Sequence, residues 1–195
     1  MFTDRFSQAL NLAQQLHATQ VRKGTDIPYI GHLLAVTSLV IENGGSEDEA
    51  IAALLHDAVE DQGGARTLEN IRQQFGDQVA AIVAGCSDTD QIPKPPWRNR
   101  KEAYIDHVRH ASRSIQLVSL ADKVHNARSI LADYRIYGDA VWTRFHGGKS
   151  GTLWYYRALV DAFRANGHPP LVAELDRVIT ELEQLTSAAP PNARK

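Results

Sequence analysis

The sequence of 195 residues contains a single cysteine, Cys86. One cysteine excludes an internal disulfide and a zinc site built from several thiolates, and it is typical of a reducing compartment. We interpret Cys86 as a small buried residue. The chain also lacks a basic N-terminal leader and any apolar run of about 18 residues, the length that a membrane-spanning helix needs. A cytoplasmic protein without a membrane partner is therefore expected.

Neither sign of charge dominates, because the formal net charge is -2 and the sequence pI is near 6.4. Proteins that bind nucleic acid usually carry a broad basic surface, so no nucleic-acid partner is predicted. An anionic ligand would have to meet local basic residues. The length and the 43% hydrophobic content are enough for one core. We predict a single domain over residues 1–186, and a homo-oligomer is left open without being predicted.

The alternation of β-branched and polar residues that marks strands is also missing, while apolar residues recur at three- and four-residue spacing. This pattern predicts an all-α bundle of about eight to ten helices. The residues from Ser187 to Lys195 include two prolines and predict a disordered tail. The predicted helices lie near Asp4 to Thr19, Leu33 to Glu42, Leu68 to Phe75, Asp77 to Cys86, Lys101 to His110, Ile115 to Tyr134, Thr152 to Asn166 and Leu171 to Leu185.

An acidic motif, His56-Asp57-x-x-Glu60-Asp61, is predicted to form the C-terminal end of a helix. Ser46, with Glu49 three residues later, forms a capping-box pattern for the start of that helix, and Gly63-Gly64 predicts its end. A continuous helix would place His56 over Glu60 and Asp57 over Asp61. Further along, three prolines between Ser87 and Asn99 predict a surface loop.

Four polar residues that interrupt apolar surroundings are candidate metal ligands. His56 and Asp57 follow the apolar run 51–55, and Asp122 follows the apolar stretch around Leu120. Unpaired charges in a buried helix cost several kcal/mol, and a bound cation removes that cost. We therefore predict a metal site made by His32, His56, Asp57 and Asp122. Two imidazoles and two carboxylates suit manganese, iron or zinc, and the sequence does not choose among them.

This pattern resembles the HD superfamily of metal-dependent phosphohydrolases, whose signature is a histidine, a later His-Asp pair and a final aspartate on different helices. The stretches Val21-Arg22-Lys23-Gly24, Pro28-Tyr29-Ile30-Gly31-His32 and Ser119 to Ala127 narrow the resemblance to the hydrolase domain of the RelA/SpoT family, in its free-standing form, the small alarmone hydrolases. The similarity spans roughly Ala18 to Ala158. Leu33 is a departure, because many members place proline after the metal-binding histidine.

The resemblance implies hydrolysis of guanosine 3′-diphosphate 5′-di- or triphosphate at the 3′ position. The products would be pyrophosphate and GDP or GTP, and manganese would be the usual ion. Glu60 and Asp61 are then the candidate catalytic residues, placed to receive the proton of the attacking water or to orient it. The alternative is that either carboxylate helps to hold a second cation. No second domain of synthetase size fits in the chain.

Substrate phosphates need positive or hydrogen-bonding partners. Resemblance to the family implies that Arg22 and Lys23 pack on the base and reach phosphate, and that Arg144 and Lys149 belong to a late motif that closes over the nucleotide. Asn126, one turn after Asp122 on the same helix face, would hydrogen-bond ribose or phosphate.

Two other basic features have no substrate role assigned. His125 is interpreted as a histidine that packs behind the ligands. The basic cluster from Lys94 to Lys101 is left without a role, because a solvated surface explains it equally well.

Two other functions remain open. The first is hydrolysis of another nucleotide by the same fold, such as an adenosine alarmone, NADPH or a deoxynucleotide, because a stacking arginine does not distinguish guanine from adenine. The second is a non-catalytic HD module that binds a nucleotide for regulation. That function predicts missing ligands or a missing Glu-Asp pair, whereas all six residues are present.

Overall fold

The fold is built from helices throughout the part of the chain that the computed structural model describes, which is residues 2–87, 93–165 and 168–187. The all-α prediction is confirmed. A 3-10 helix spans Gly138–Arg144. None of these helices is long and apolar enough to cross a membrane. The α-helices are α1 Asp4–Leu16, α2 Ile30–Glu42, α3 Glu47–Leu55, α4 Ala58–Asp61, α5 Gly64–Phe75, α6 Asp77–Cys86, α7 Trp97–His110, α8 Arg113–Tyr137, α9 Gly148–Arg164 and α10 Pro169–Ser187.

Two helices form the centre of the core. In α3, every residue from Ala50 to Leu55 is fully buried, so neighbouring helices cover it on all sides. The 25-residue helix α8 contacts α2, α3, α6, α7, α9 and α10. A polar side chain on the inner face of either helix is surrounded by hydrocarbon and needs a partner there.

Several predicted boundaries in the first third of the chain are wrong. Helix α1 ends at Leu16 instead of Thr19, and α2 begins at Ile30 instead of Leu33. His32 therefore lies inside the first turn of α2. The residues between α1 and α2 form turns, tied together by an antiparallel bridge between Val21 and Pro28. This bridge brings a loop back against the start of α2.

The loop predicted from Ser87 to Asn99 ends earlier than expected, because α7 begins at Trp97, directly after Pro96. Residues 88–92 of that loop lie outside the described residues. Helix α10 includes Ser187, the first residue of the predicted disordered tail. The rest of that tail, 188–195, and Asn166, the predicted end of α9, also lie outside the described residues.

The predicted capping box at the start of α3 is confirmed. The Ser46 hydroxyl accepts a hydrogen bond from the Glu49 backbone N–H at 3.3 Å, and the Glu49 carboxylate accepts one from the Ser46 N–H at 2.7 Å. These bonds satisfy N–H groups that the helix leaves without an internal partner. Because α3 is so deeply buried, its start also fixes the position of the residues that follow its end.

We expect Ser46→Ala to lower the free energy of unfolding by about 0.5–2 kcal/mol, the usual cost of losing an N-cap side chain. The measurement is urea denaturation followed by circular dichroism. Ser38→Ala is the control, because Ser38 is exposed inside α2 and its hydroxyl donates only to Glu42 of the same helix. Equal unfolding midpoints for the two variants would contradict the capping role.

Candidate metal centre

The acidic motif does not lie in one helix, as the sequence had predicted. Helix α3 ends at Leu55, His56 is its C-cap, and the four-residue helix α4 begins at Ala58. Asp57 is the residue at the break, although its carbonyl still accepts from the Asp61 N–H at 3.0 Å. The break places the His56 and Asp57 side chains at the end of a buried helix, where both can face α2 and α8.

The structure brings the four predicted ligands together. His32 Nε2 lies 3.5 Å from Asp57 Oδ2 and 3.3 Å from Asp122 Oδ1. His56 Nε2 lies 3.0 Å from Asp57 Oδ2 and 3.7 Å from Asp122 Oδ1. Ligand atoms of His32, His56 and Asp57 all lie within 4.8 Å of one another, which is compatible with a shared metal ion. We refer to these four residues as the ligand cluster.

The two histidines of the ligand cluster turn the same nitrogen towards its centre. The His56 Nδ1 donates to the Ala53 carbonyl at 2.8 Å, and His32 Nδ1 lies 2.8 Å from His125 Nδ1. The Nε2 atoms of His32 and His56 are buried, and although they lie near the carboxylates of the cluster, neither makes a hydrogen bond of good geometry within the described residues. A buried imidazole nitrogen without a partner is rare, and a histidine that binds a metal is normally held through its other nitrogen. The cluster therefore fits a metal ion.

Charge in the cluster supports the same conclusion. Although burial opposes the charged ring, Asp57 and Asp122 raise the pKa of His56 well above its usual value. Burial also opposes the charge of each carboxylate, but His56 lowers the pKa of Asp57 and Lys123 lowers the pKa of Asp122, both well below the usual range. Two ionised carboxylates thus require a positive charge between them, which a divalent cation would supply in place of protons.

Further side chains hold the carboxylates of the cluster. The Tyr29 hydroxyl donates to Asp57 Oδ2 at 2.6 Å. The Lys123 ammonium and the Asn126 amide donate to the two oxygens of Asp122, each at 2.5 Å. Burial and the charge of Asp57 raise the pKa of Tyr29, so its hydroxyl stays a donor. Tyr29 and Lys123 lie in the sequence motifs described above, but no role was predicted for either. Their closeness in sequence to His32 and Asp122 could have indicated one.

His125 lies behind His32 and contacts it through the short distance between the Nδ1 atoms. Burial, together with the charges of His32 and Arg22, lowers the pKa of His125 to about 4. Its ring is therefore neutral near pH 7 and accepts from the His32 N–H, which leaves the His32 Nε2 free for a metal.

Leu33, which stands where many members of the family place proline, lies in the first turn of α2. Its side chain is fully buried in the core, and its backbone N–H donates to the Tyr29 carbonyl at 3.4 Å. A proline at this position would lack that donor.

A cavity of about 930 Å³ opens beside the ligand cluster. Besides cluster residues, it is lined by four of the predicted substrate-binding residues, Arg22, Lys23, Asn126 and Arg144. The Arg22 guanidinium donates to the side-chain oxygen of Asn126, Oδ1, at 2.6 Å and lies 5.6 Å from the centre of the Tyr29 ring. Because Asn126 also contacts Asp122, these residues link the cavity wall to the ligand cluster.

Arg144 reaches the cavity from the 3-10 helix. Its guanidinium donates to Asp133 at 2.6 Å, and its stem packs against Gly24. Gly24 has a φ of 74°, and a Cβ there would lie 2.8 Å from the Arg144 Cδ. Glycine therefore meets both the backbone conformation and the close approach at this position.

Lys149 does not line either cavity at this site, contrary to the sequence prediction. Its ammonium donates to Asp139 Oδ1 at 3.2 Å and to the Thr186 carbonyl at 2.9 Å, so it joins the start of α9 to the end of α10. Closeness to Arg144 in sequence was misleading, because α9 begins between the two and turns Lys149 to another face.

Glu60 and Asp61 lie on α4 but face different cavities. Asp61 lines the larger cavity and accepts a hydrogen bond from Gln20 at 2.7 Å. Glu60 lines a neighbouring cavity of about 400 Å³ and accepts one from Lys94 at 2.9 Å. This second cavity also contains Lys101, so part of the basic cluster that sequence reasoning left unassigned lies beside the site. Lys23 lines both cavities.

Comparisons with known proteins agree with this geometry. The HD domain family matches residues 9–152. The guanosine-3′,5′-bis(diphosphate) 3′-pyrophosphohydrolase MESH1 of Xenopus tropicalis is 40% identical over 126 residues, which cover 63% of this chain and 68% of that protein. The MESH1 protein of Homo sapiens is 35% identical over 126 residues, with the same two coverages of 63% and 68%. The bifunctional (p)ppGpp synthase/hydrolase SpoT of Escherichia coli is 33% identical over 132 residues, only 18% of its length.

Among solved structures, a metazoan orthologue of SpoT, described as hydrolysing ppGpp and acting in starvation responses, superposes with a TM-score of 0.78. It is 24% identical, and the alignment covers 93% of this chain and 97% of that one, which shows a shared fold. The chain therefore belongs to the HD domain family, in the SpoT-like branch that the MESH1 proteins represent.

Proposed function

We propose that this protein hydrolyses the 3′-pyrophosphate of (p)ppGpp-type alarmones with Mn²⁺ as its cofactor, giving GDP or GTP and pyrophosphate. The observation that carries the proposal is a ligand cluster at the wall of a cavity that also holds Arg22, Lys23 and Arg144. In this cluster, two buried imidazole nitrogens make no hydrogen bond of good geometry to any residue that the structure describes. The MESH1 relatives, which are guanosine-3′,5′-bis(diphosphate) 3′-pyrophosphohydrolases by name, support the same substrate. A volume of about 930 Å³ is within the range of cavities that bind nucleotide-sized ligands.

The mixed set of imidazoles and carboxylates in the ligand cluster suits Mn²⁺. When bound, a divalent cation polarises a phosphate oxygen and lowers the pKa of water. Residues of the chain position the metal ligands. Tyr29, Lys123 and Asn126 fix the carboxylates of Asp57 and Asp122, so the cluster is held ready before substrate arrives.

The cations of the cavity would bind the nucleotide. The guanidinium of Arg22 is held between Tyr29 and Asn126, and its open face offers a platform on which a purine stacks. Arg144 uses one N–H group on Asp133, and its guanidinium has others to offer to phosphate oxygens. Lys23 lines both cavities, so its ammonium is placed to bind phosphate groups in either of them.

Asp61 is the residue we assign to accept the proton of the attacking water, and Glu60 helps to orient that water. Partial desolvation raises the pKa of the Asp61 carboxyl, and the charges of Asp57 and Glu60 act in the same direction, while the hydrogen bond from Gln20 opposes the shift. A carboxylate with a raised pKa is a stronger base than an ordinary aspartate. It is also protonated at a higher pH, so turnover should decline as the pH falls through that raised value.

Added Mn²⁺ should raise the melting temperature of metal-free protein, since a ligand that binds only the folded state stabilises it by about 2.7 kcal/mol at 100 times its dissociation constant. Differential scanning fluorimetry measures the shift, and a chelator should reverse it. His56→Gln should remove the response. His110→Gln is the control, because His110 is an exposed histidine at the end of α7 and should leave the shift intact.

With Mn²⁺ present, the protein should convert ppGpp to GDP and pyrophosphate in a one-to-one ratio. Chromatography identifies the nucleotide, and separate assays follow pyrophosphate and single phosphate. The adenosine counterpart and NADPH are the comparison substrates. Release of single phosphate, or faster cleavage of either comparison substrate, would contradict the proposed reaction.

Replacing either catalytic carboxylate with its amide, in Glu60→Gln or Asp61→Asn, should lower kcat by about 10²–10⁴-fold, the usual contribution of general-base help. Metal affinity, measured by isothermal titration calorimetry, should stay close to that of the wild type. Glu69→Gln, which changes an exposed carboxylate of α5 in the same way, should leave both quantities unchanged. Loss of metal binding in the first two variants would instead assign those carboxylates to a second cation.

A further inference from the structure

Gln20 lies between α1 and α2 and connects several polar groups at the wall of the larger cavity. Its Nε2 donates to Asp61 Oδ2 at 2.7 Å. Its Oε1 accepts from Gln62 Nε2 at 2.7 Å and lies 2.7 Å from His17 Nδ1. Its backbone carbonyl accepts from the Tyr29 N–H at 2.9 Å. The proposed reaction gives this residue no role so far.

The hydrogen bonds allow one orientation of the Gln20 amide. An ionised carboxylate only accepts hydrogen bonds, so the NH₂ group of Gln20 must face Asp61. The amide oxygen then faces the Gln62 amide and the His17 Nδ1, which donates in the tautomer that carries its proton there. His17 is itself fixed, since its ring is 3% exposed and stacks on the Tyr29 ring at a centroid distance of 5.2 Å. Rotation of the Gln20 amide would break these contacts together.

Asp61 has little else to hold it in place. It is an exposed residue at the end of α4, a helix of four residues, after which the chain turns at Gly63. A carboxylate in such a position would normally sample several rotamers. A general base must instead stay within about 2.6–3.2 Å of the water whose proton it takes. The bond from Gln20 to Oδ2 restricts the carboxylate and leaves Oδ1 as the oxygen available to the cavity that Asp61 lines.

We propose that Gln20 is a positioning residue for Asp61, whose amide aims the second oxygen of that carboxylate at the water in the cavity. The inference rests on the proposed function, in which Asp61 accepts the proton. Gln20 also acts through its backbone. Its carbonyl holds the N–H of Tyr29, and Tyr29 in turn donates to Asp57. One residue thus sets the distance between the base and a ligand of the cluster.

The test compares two substitutions that keep the length of the side chain. Gln20→Met removes both polar atoms, and Gln20→Glu keeps the acceptor but loses the donor. Each should lower kcat by about 10–100-fold, since a hydrogen bond to a charged group contributes on that scale. KM and Mn²⁺ affinity should stay at wild-type values. Gln73→Met is the matched control, because Gln73 also donates to a carboxylate, Glu69 Oε1 at 3.0 Å, on the exposed face of α5.

A double-mutant cycle separates positioning from a general structural role. In an Asp61→Asn background, Gln20→Met should cause no further loss of kcat, because no base remains to be aimed. A purely structural role for Gln20 would add its full effect to that of Asp61→Asn. It would also lower the melting temperature and the Mn²⁺ affinity, both of which are measured without turnover.

The outcomes separate the two proposals. If the wild-type chain loaded with Mn²⁺ cleaves no nucleotide, the proposed function fails and this inference fails with it. If the wild type is active and Gln20→Met or Gln20→Glu keeps the kcat of the Gln73→Met control, the positioning role alone is overturned. A further loss in the Asp61→Asn background, or a parallel fall in metal affinity, also overturns it.

Discussion

Two ionised carboxylates that face the same pair of imidazole nitrogens are the constraint on which the rest of this structure depends. Asp122 is 5% exposed, so water does little to screen it from Asp57. Like charges this close in a poorly hydrated place are stable only with positive charge between or beside them. The ammonium of Lys123, the amide of Asn126 and the hydroxyl of Tyr29 supply part of that compensation. The space that remains fits a cation.

The ligand cluster draws on three packed helices and on one break in the chain. His32 comes from the first turn of α2, Asp122 from the middle of α8, and His56 and Asp57 from the end of α3. No two of these elements would hold the cluster without the core that packs them. The site therefore forms only when the helices have assembled, so metal binding would be coupled to folding.

The ligand cluster could be predicted from the sequence because each of its residues interrupts an apolar environment, a signal that survives without knowledge of the fold. The break after His56 could not be predicted in this way. Neither His56 nor Asp57 is a helix breaker, and the Asp57 backbone leaves helical geometry only slightly, with φ -95° and ψ -4°. Tertiary packing decides such a position, because the chain turns where its polar side chains reach partners on other helices.

Residues that act through others were also beyond sequence reasoning. Gln20 and Asp61 are 41 positions apart, and only the folded chain shows their hydrogen bond. Lys149 is the opposite case. Its closeness in sequence to Arg144 suggested that both residues line one site, but α9 begins between them and Lys149 lines neither cavity. Local sequence patterns thus identified which buried side chains need a partner for their charge. The direction in which each side chain points depended instead on helix packing.

Gly24 joins two segments that are distant in sequence, the loop after α1 and the 3-10 helix. The stem of Arg144 occupies the space that any larger residue at position 24 would fill. Residues of both segments line the larger cavity, and the contact between Gly24 and Arg144 couples the position of one segment to that of the other. A ligand that displaces the Arg144 side chain would therefore also disturb the loop at Gly24, so the two segments would respond to it together.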